Sequence, residues 1–246
     1  MMVNLKMLRI LIILLSAFAF SMHCSGQTTE EIIATHLNKI GGEENWLKVK
    51  SIEIEYKLQT DAGTMFINKK IIRKKKYRSD LKFESRIPAE KDKKYYLLLN
   101  DQGGFKYMPD THDKVVAMDS IDLMLAREDM DYEDPFIQYR QKGTEIKQLE
   151  MMYEGDQEYF KFHLRMVSGR EFICLLDSKT YLIHRMTEIN SDVDNNRIYG
   201  AFKTIDGLVF PQSITGSFGE QELILVRINP VFSDAVFKIS APMNYR

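Results

Sequence analysis

The stretch SIEIEYKLQT, Ser51 to Thr60, alternates without a break: Ile52, Ile54, Tyr56 and Leu58 stand against Ser51, Glu53, Glu55 and Lys57. Successive side chains leave a pleated backbone on opposite sides, so a period of two predicts a strand with one apolar face on a core and one charged face in water. Downstream the same signal recurs roughly every 8 to 14 residues, in GTMFINKKIIRKKK, YRSDLKFES, KKYYLLLN, GGFKYMP, DKVVAM, TEIKQLEMMYE, QEYFKFHLRMV, REFICLLD, YLIHRMTEIN, NRIYGAFKTID, LVFPQSITGSF and QELILVRINPVF. Turn formers separate these segments, among them Asn100 to Gly104, Ser168-Gly169, Asp177 to Lys179 and Asp206-Gly207. About a dozen strands joined by tight turns read as an antiparallel meander. No Pro-, Gly- or Ser-rich linker divides it, which predicts one domain.

Upstream of Ser51 the period is helical. In TTEEIIATHLNKIGG, Thr28 or Thr29 can cap, and Glu30 and Glu31 suit the positive end of the helix dipole. Ile32, Ile33, His36, Leu37 and Ile40 recur at helical spacing, and Gly41-Gly42 stop the helix. A shorter piece, GEENWLKVK, carries the sole tryptophan, Trp46. Midway through the strands comes MDSIDLMLAREDMDYEDPFIQY, Met118 to Tyr139. Asp119 or Ser120 can cap a helix there, and Asp134-Pro135 can open another, because proline is accepted in the first turn. A sheet of this size curls, and only the N-terminal helix and these inserted helices are available to cover its concave apolar face.

At the very start, Lys6 and Arg9 precede an apolar run from Ile10 to Phe20, too short for a permanent membrane span of about 20 residues. This pattern is that of a secretory leader. Gly26 and Cys24 supply the small residues a signal peptidase wants if it cuts before Gln27, leaving residues 27–246 as a single secreted domain, with no transmembrane helix in the mature chain. The alternative is a lipid anchor on Cys24, against which stand the bulky Met22 and His23 just before it. Once the leader is gone Cys174 is the remaining thiol, so no internal disulfide can form, and its setting in EFICLLD predicts a packed structural side chain.

With 34 basic and 35 acidic residues, net charge −1, the chain has no field with which to hold nucleic acid. Catalytic patterns are lacking: there is no G-x-S-x-G, no glycine-rich phosphate loop, no H-E-x-x-H, and His23, His36, His112, His163 and His184 share no metal-ligand spacing. His112 and Asp113 are adjacent on a strand, so their side chains point to opposite faces. No metal and no cofactor is expected, and no enzyme. The acidic cluster REDMDYEDP, Arg127 to Pro135, lacks the glycine and spacing of a calcium loop and reads as solvated charge at a helix end. The basic run from Lys69 to Arg78 reads as the wet face of a strand, with anionic lipid or an acidic partner as the other possibility. Fourteen Met, fourteen Phe and twelve Tyr suit either a packed core or an adaptable ligand wall.

The order of EEIIATHLNKIGGEENWLKVKSIEIEYKLQ, LLLNDQGGFKYMPDTHDKVVAM, KGTEIKQLEMMYEGDQEYFKFHLRM with GREFICLLDSKTYLIHRM, and YGAFKTIDGLVFPQSITG with LVRINPVFSDAVF resembles the LolA/LolB-type lipoprotein-sorting family, and more closely its secreted relatives. The resemblance implies a mostly β protein with a few short helices. It would be a curled antiparallel half-barrel with an N-terminal helix, its concave apolar face closed by a mid-chain helical lid. It implies a cavity for lipid or lipoprotein acyl chains, with Ile121, Leu123, Met124, Leu125, Phe136 and Ile137 forming the lid. The corresponding function is a non-enzymatic carrier or binding protein of the cell envelope; the alternative is an envelope scaffold that meets another envelope protein without lipid cargo.

Overall fold

A computed structural model describes residues 27–86, 94–111, 114–191 and 195–239. The leader, its cleavage point, Cys24 and the pair His112-Asp113 lie outside them. The helix at the N-terminus, α1 (Thr29–Lys39), begins with a reciprocal capping box: Glu31 N–H donates to Thr28 Oγ1 at 3.3 Å, and Thr28 N–H donates to Glu31 Oε2 at 2.9 Å. It ends where Gly42 N–H closes on Leu37 C=O at 2.9 Å. Gly41 at φ +107° cannot be another residue, since a Cβ there would stand 2.2 Å from the carbonyl oxygen of Gly207. One turn later α2 (Glu43–Leu47) delivers Trp46, whose indole N–H donates to Ile40 C=O at 3.0 Å.

Fourteen strands among the described residues form one antiparallel sheet. They are β1 (Ser51–Thr60), β2 (Gly63–Ile72), β3 (Lys76–Ser85), β4 (Lys94–Asn100), β5 (Gly103–Tyr107), β6 (Val116–Ala117), β7 (Glu145–Gln148), β8 (Met152–Glu154), β9 (Gln157–Arg165), β10 (Glu171–Asp177), β11 (Ile183–Ile189), β12 (Asn196–Ile205), β13 (Leu208–Gly216) and β14 (Gly219–Ile228). Neighbours in sequence pair, except that β1 joins β14, aligning Ile52 with Ile228 and Ile54 with Val226, and that β7 reaches past β8 to pair with β9. The sheet is thus two meanders fused at β1 and β14, an open, curled half-barrel. Its two edges are β6 and β7, and the chain must travel from one to the other. Residues 118–144 make that crossing over the concave face, which is why the lid lies in this part of the sequence.

The crossing contains one α-helix, α3 (Ser120–Met130), opened by an Asp119–Asp122 capping box. The second helix expected from Asp134-Pro135 does not form. Asp134 Oδ1 instead accepts the N–H of Phe136 at 3.0 Å, Gln138 turns to φ +50°, and the chain continues as turns. A second correction concerns β1. Its polar face is not in free water: Glu53 is buried under neighbouring strands, 2.9 Å from Arg227, with Asn68 donating to it at 3.2 Å. β1 is an interior strand flanked by β2 and β14, so polar groups on those two strands reach across and cover it.

Two apolar clusters occupy the concave side. One gathers Trp46, Ile52, Ile54, Ile71, Tyr77, Ile137 and Phe210; the other packs Ile32 and Ile33 of α1 with Phe136, Phe162, Leu164, Phe172, Cys174 and Leu176. On the opposite face Tyr96 and Leu98 of β4 meet Phe237 from a single 3-10 turn, Asp234–Phe237.

Candidate functional site

Between the two concave clusters runs β12, in which no residue is fully buried. Above it the concave side does not fill. A cavity of about 750 Å3 opens between sheet and lid, with an apolar floor from Ile54, Tyr56, Phe172, Met186, Tyr199 and Phe210 and with Met124 of α3 above. That volume falls within the range of about 300–1,000 Å3 usual for small-molecule sites.

The six apolar lid candidates divide by position. Met124 lines the cavity. Leu123 packs on the sheet beside Gly104, where any side chain would strike it, since a Cβ would come within 2.4 Å of Leu123 Cδ2. Phe136 and Ile137 are completely buried in the two core clusters, and Ile121 and Leu125 face outward, 65% and 41% exposed.

What secures the lid is charge. All five acids of the cluster between Arg127 and Pro135 have cationic partners; Asp129 and Asp131 are partly solvated, as expected, whereas for Glu128, Glu133 and Asp134 that expectation is corrected. Glu128 accepts from Arg170 Nη1 at 2.5 Å, while the same guanidinium grips Glu188 of β11 through two bonds of 2.7 and 2.6 Å. Asp129 meets Lys69 of β2 at 3.1 Å and accepts the Tyr77 hydroxyl at 3.0 Å. Burial would raise the Asp129 carboxyl, but Lys69 and Tyr77 more than offset this and hold it below the usual carboxylate range. Asp131 and Glu133 share Lys142 at 2.8 and 3.0 Å, and Glu133 also pairs with Arg73. At the other end of α3, Lys106 of β5 reaches Asp122 at 2.5 Å. Most of the basic run is consumed in this way: Lys69, Lys70, Arg73, Lys76 and Arg78 all form ion pairs, while Lys74 and Lys75 stand exposed in the turn.

Asp134, the fifth acid, faces His36 of α1 at 3.0 Å from Nε2, close enough for an ion pair though off line for a strong hydrogen bond. His36 Nδ1–H donates to Tyr181 C=O at 2.6 Å. The Tyr181 carbonyl at Nδ1 and the Asp134 carboxylate beside Nε2 both favour the protonated ring. Burial disfavours that charge, but Asp134 and the Tyr181 carbonyl outweigh it, so the pKa lies above 6.5. A raised folded value means that the stabilisation is complete below the unfolded pKa of about 6.5 and is lost as pH rises through the folded one. The urea midpoint of the wild type should therefore fall as pH rises from about 6.5 through the folded value, and Asp134→Asn should lack this fall; equal slopes in the two proteins would refute the coupling. Neither nitrogen is free to activate a nucleophile, and burial pushes the Cys174 thiol well up. Of the remaining histidines, His163 pairs with Glu171 at 2.9 Å and His184 stacks on Tyr159 at 4.7 Å. Among the described residues no group of three His, Cys, Asp or Glu side chains is placed to hold a metal, and no helix is long and apolar enough to cross a membrane.

No protein-family model matches the chain, and no curated protein sequence does. Among solved structures, a LolA superfamily protein, NE2245 from Nitrosomonas europaea, superposes with a TM-score of 0.50 at 11% identity, covering 87% of this chain and 99% of that one. This chain shares the curled half-barrel fold of that structure. A DUF1329 family protein from Desulfovibrio piger superposes with a TM-score of 0.53 at 12% identity, over 87% of this chain and 98% of that one. At such identities the likeness is one of fold, and a LolA-type half-barrel carries only the chemistry its own cavity provides.

Proposed function

We propose that this protein is a non-enzymatic binding protein or carrier for lipid or lipoprotein acyl chains in the periplasm, delivered there by removal of a leader before Gln27. The observation that carries the reading is the cavity above β12, whose floor is apolar and whose lid is attached by ion pairs around its margin. An acyl chain gains about 0.8 kcal/mol for each methylene taken out of water, so about ten methylenes would contribute roughly 8 kcal/mol before the cost of association is subtracted. The LolA-type fold supports a carrier role by analogy, and the commitment of both His36 nitrogens supports binding over catalysis. A lipid on Cys24 is the alternative to a discarded leader and would make the protein a tethered acceptor.

Protein stripped of lipid should take up a fluorescent fatty-acid probe saturably. Met124→Glu, which sets a charge against the chain, should weaken uptake at least about tenfold, the equivalent of 1.4 kcal/mol. Absence of saturable uptake by the wild type would overturn the proposal. It would favour the second reading, an envelope scaffold, for which the exposed Ile121 and Leu125, one turn apart on the outer side of α3, offer a contact surface.

A further inference from the structure

The floor of the cavity is apolar except at one place. Arg197 projects from β12 beside Tyr199 on the same face of the strand, and both line the cavity with Tyr56 of β1. Of the other cations lining the cavity, Lys69 is paired with Asp129, Lys142 with Asp131 and Glu133, and Arg170 with Glu128 and Glu188, while Lys74 and Arg127 are exposed at its margin. Arg197 is half-buried, its Nε donates to the neutral Asn195 Oδ1 at 3.2 Å, and no carboxylate among the described residues lies within ion-pair distance of it. Asp129 and Glu188 feel its charge, but each is already held by a closer cation. A guanidinium has five N–H donors, and leaving it half-desolvated without an anion is costly. The tyrosines beside it are also donors in search of acceptors. Tyr199 O–H donates only toward the thioether of Met186, at 3.6 Å, while its oxygen accepts from Arg197, and Tyr56 O–H has no hydrogen-bond partner among the described residues. Burial keeps both phenols protonated, raising that of Tyr199 to about 12.

We infer that Arg197, with the hydroxyls of Tyr56 and Tyr199, is a recognition site for the anionic head of an amphiphile whose acyl chain lies along the apolar floor. The inference rests on the acyl-chain reading of the cavity and adds the class of cargo: a carboxylate or phosphate head, which the planar guanidinium fork can grip through two oxygens. A neutral head would leave Arg197 as it is in the empty cavity, so selectivity for charge is the signature.

The test is displacement of the fluorescent probe at pH 8 by palmitate, hexadecyl phosphate and methyl palmitate, which share one chain length and differ in the head. On the wild type at least one of the two anions should bind about tenfold or more tightly than the ester, as a hydrogen bond to a charged group warrants, and the tighter anion identifies the head. In Arg197→Gln the preference should collapse to less than about threefold with ester affinity unchanged, which also reports that the cavity is intact. Arg197→Lys should keep a preference for the anion. Equal binding of anions and ester by the wild type, or a preference that survives Arg197→Gln, would overturn the head-group site while leaving acyl-chain binding standing. Failure of all three to displace the probe, or failure of the probe to bind, would overturn both.

Discussion

Replacement of Arg73 by Met should lower the unfolding free energy by about 3–5 kcal/mol, the usual cost of removing one member of a buried ion pair. Its partner Glu133 has a side chain only 2% exposed, so the carboxylate cannot recover water when the guanidinium goes. Lys142 stays 3.0 Å away, but it is shared with Asp131. Arg73 also ties three elements together: its Nε donates to Val49 C=O at 2.7 Å, Nη2 donates to Trp46 C=O, and Nη2 reaches the Tyr132 hydroxyl at 3.2 Å, which itself donates to Val49 C=O at 3.0 Å. The end of α2, the start of β1 and the crossing after α3 thus meet at one side chain. Urea unfolding of Arg73→Met, Glu133→Gln and the double variant measures this. The double variant should lose less than the sum of the singles, because it strands no charge. A loss below about 1 kcal/mol for Arg73→Met would mean that the pair behaves as a solvated surface bridge.

Local features of the fold were legible in the sequence, and those assembled from distant residues were not. The alternation of Ser51 to Thr60 predicts β1 because a strand's period is written in neighbouring side chains, and the caps at Thr28 and Asp119 predict helix starts because their hydrogen bonds span three residues. The failure of Asp134-Pro135 to start a helix depends on Glu43, far upstream, whose Oε1 accepts the Gln138 N–H at 2.8 Å and holds the left-handed turn there. The ion pairs that secure the lid are of the same kind. Five acids between Arg127 and Pro135 and a basic run at Lys69 to Arg78 are each conspicuous, but nothing in either segment says that Glu133 meets Arg73 or that Asp129 meets Lys69. Matching an acidic crossing segment to a basic strand could have suggested the pairing without its register. The cavity was least legible of all, because it arises where NRIYGAFKTI lies between two clusters that do not merge above it. Its position is a property of five strands and a lid, and Arg197 is significant only because the described acids near it are occupied by closer cations.

The division of the lid candidates into anchors and outer surface leads to the other large expected effect. Phe136 is completely buried, edge-on to His36 with ring centroids 5.1 Å apart and to Phe162 at 5.6 Å, so it joins the crossing segment to α1 and β9 together. Phe136→Ala should cost about 3–5 kcal/mol, the transfer energy of the ring plus the cavity it leaves. Part of this loss should come from the His36–Asp134 pair, since water admitted beside the imidazolium weakens the attraction that now offsets its burial. Leu125→Ser, made on the outward side of α3, should change stability by less than about 0.5 kcal/mol, because that side chain already meets solvent. Chemical denaturation of the two variants decides the matter: comparable losses would mean that the crossing moves as a loose flap, and a large loss at Phe136 alone would mean that it is pinned at its far end. A pinned crossing confines any opening to α3 and its ion pairs with Lys69, Lys106 and Arg170, so cargo would enter by rupture of those exchangeable contacts while the aromatic anchor stays in place.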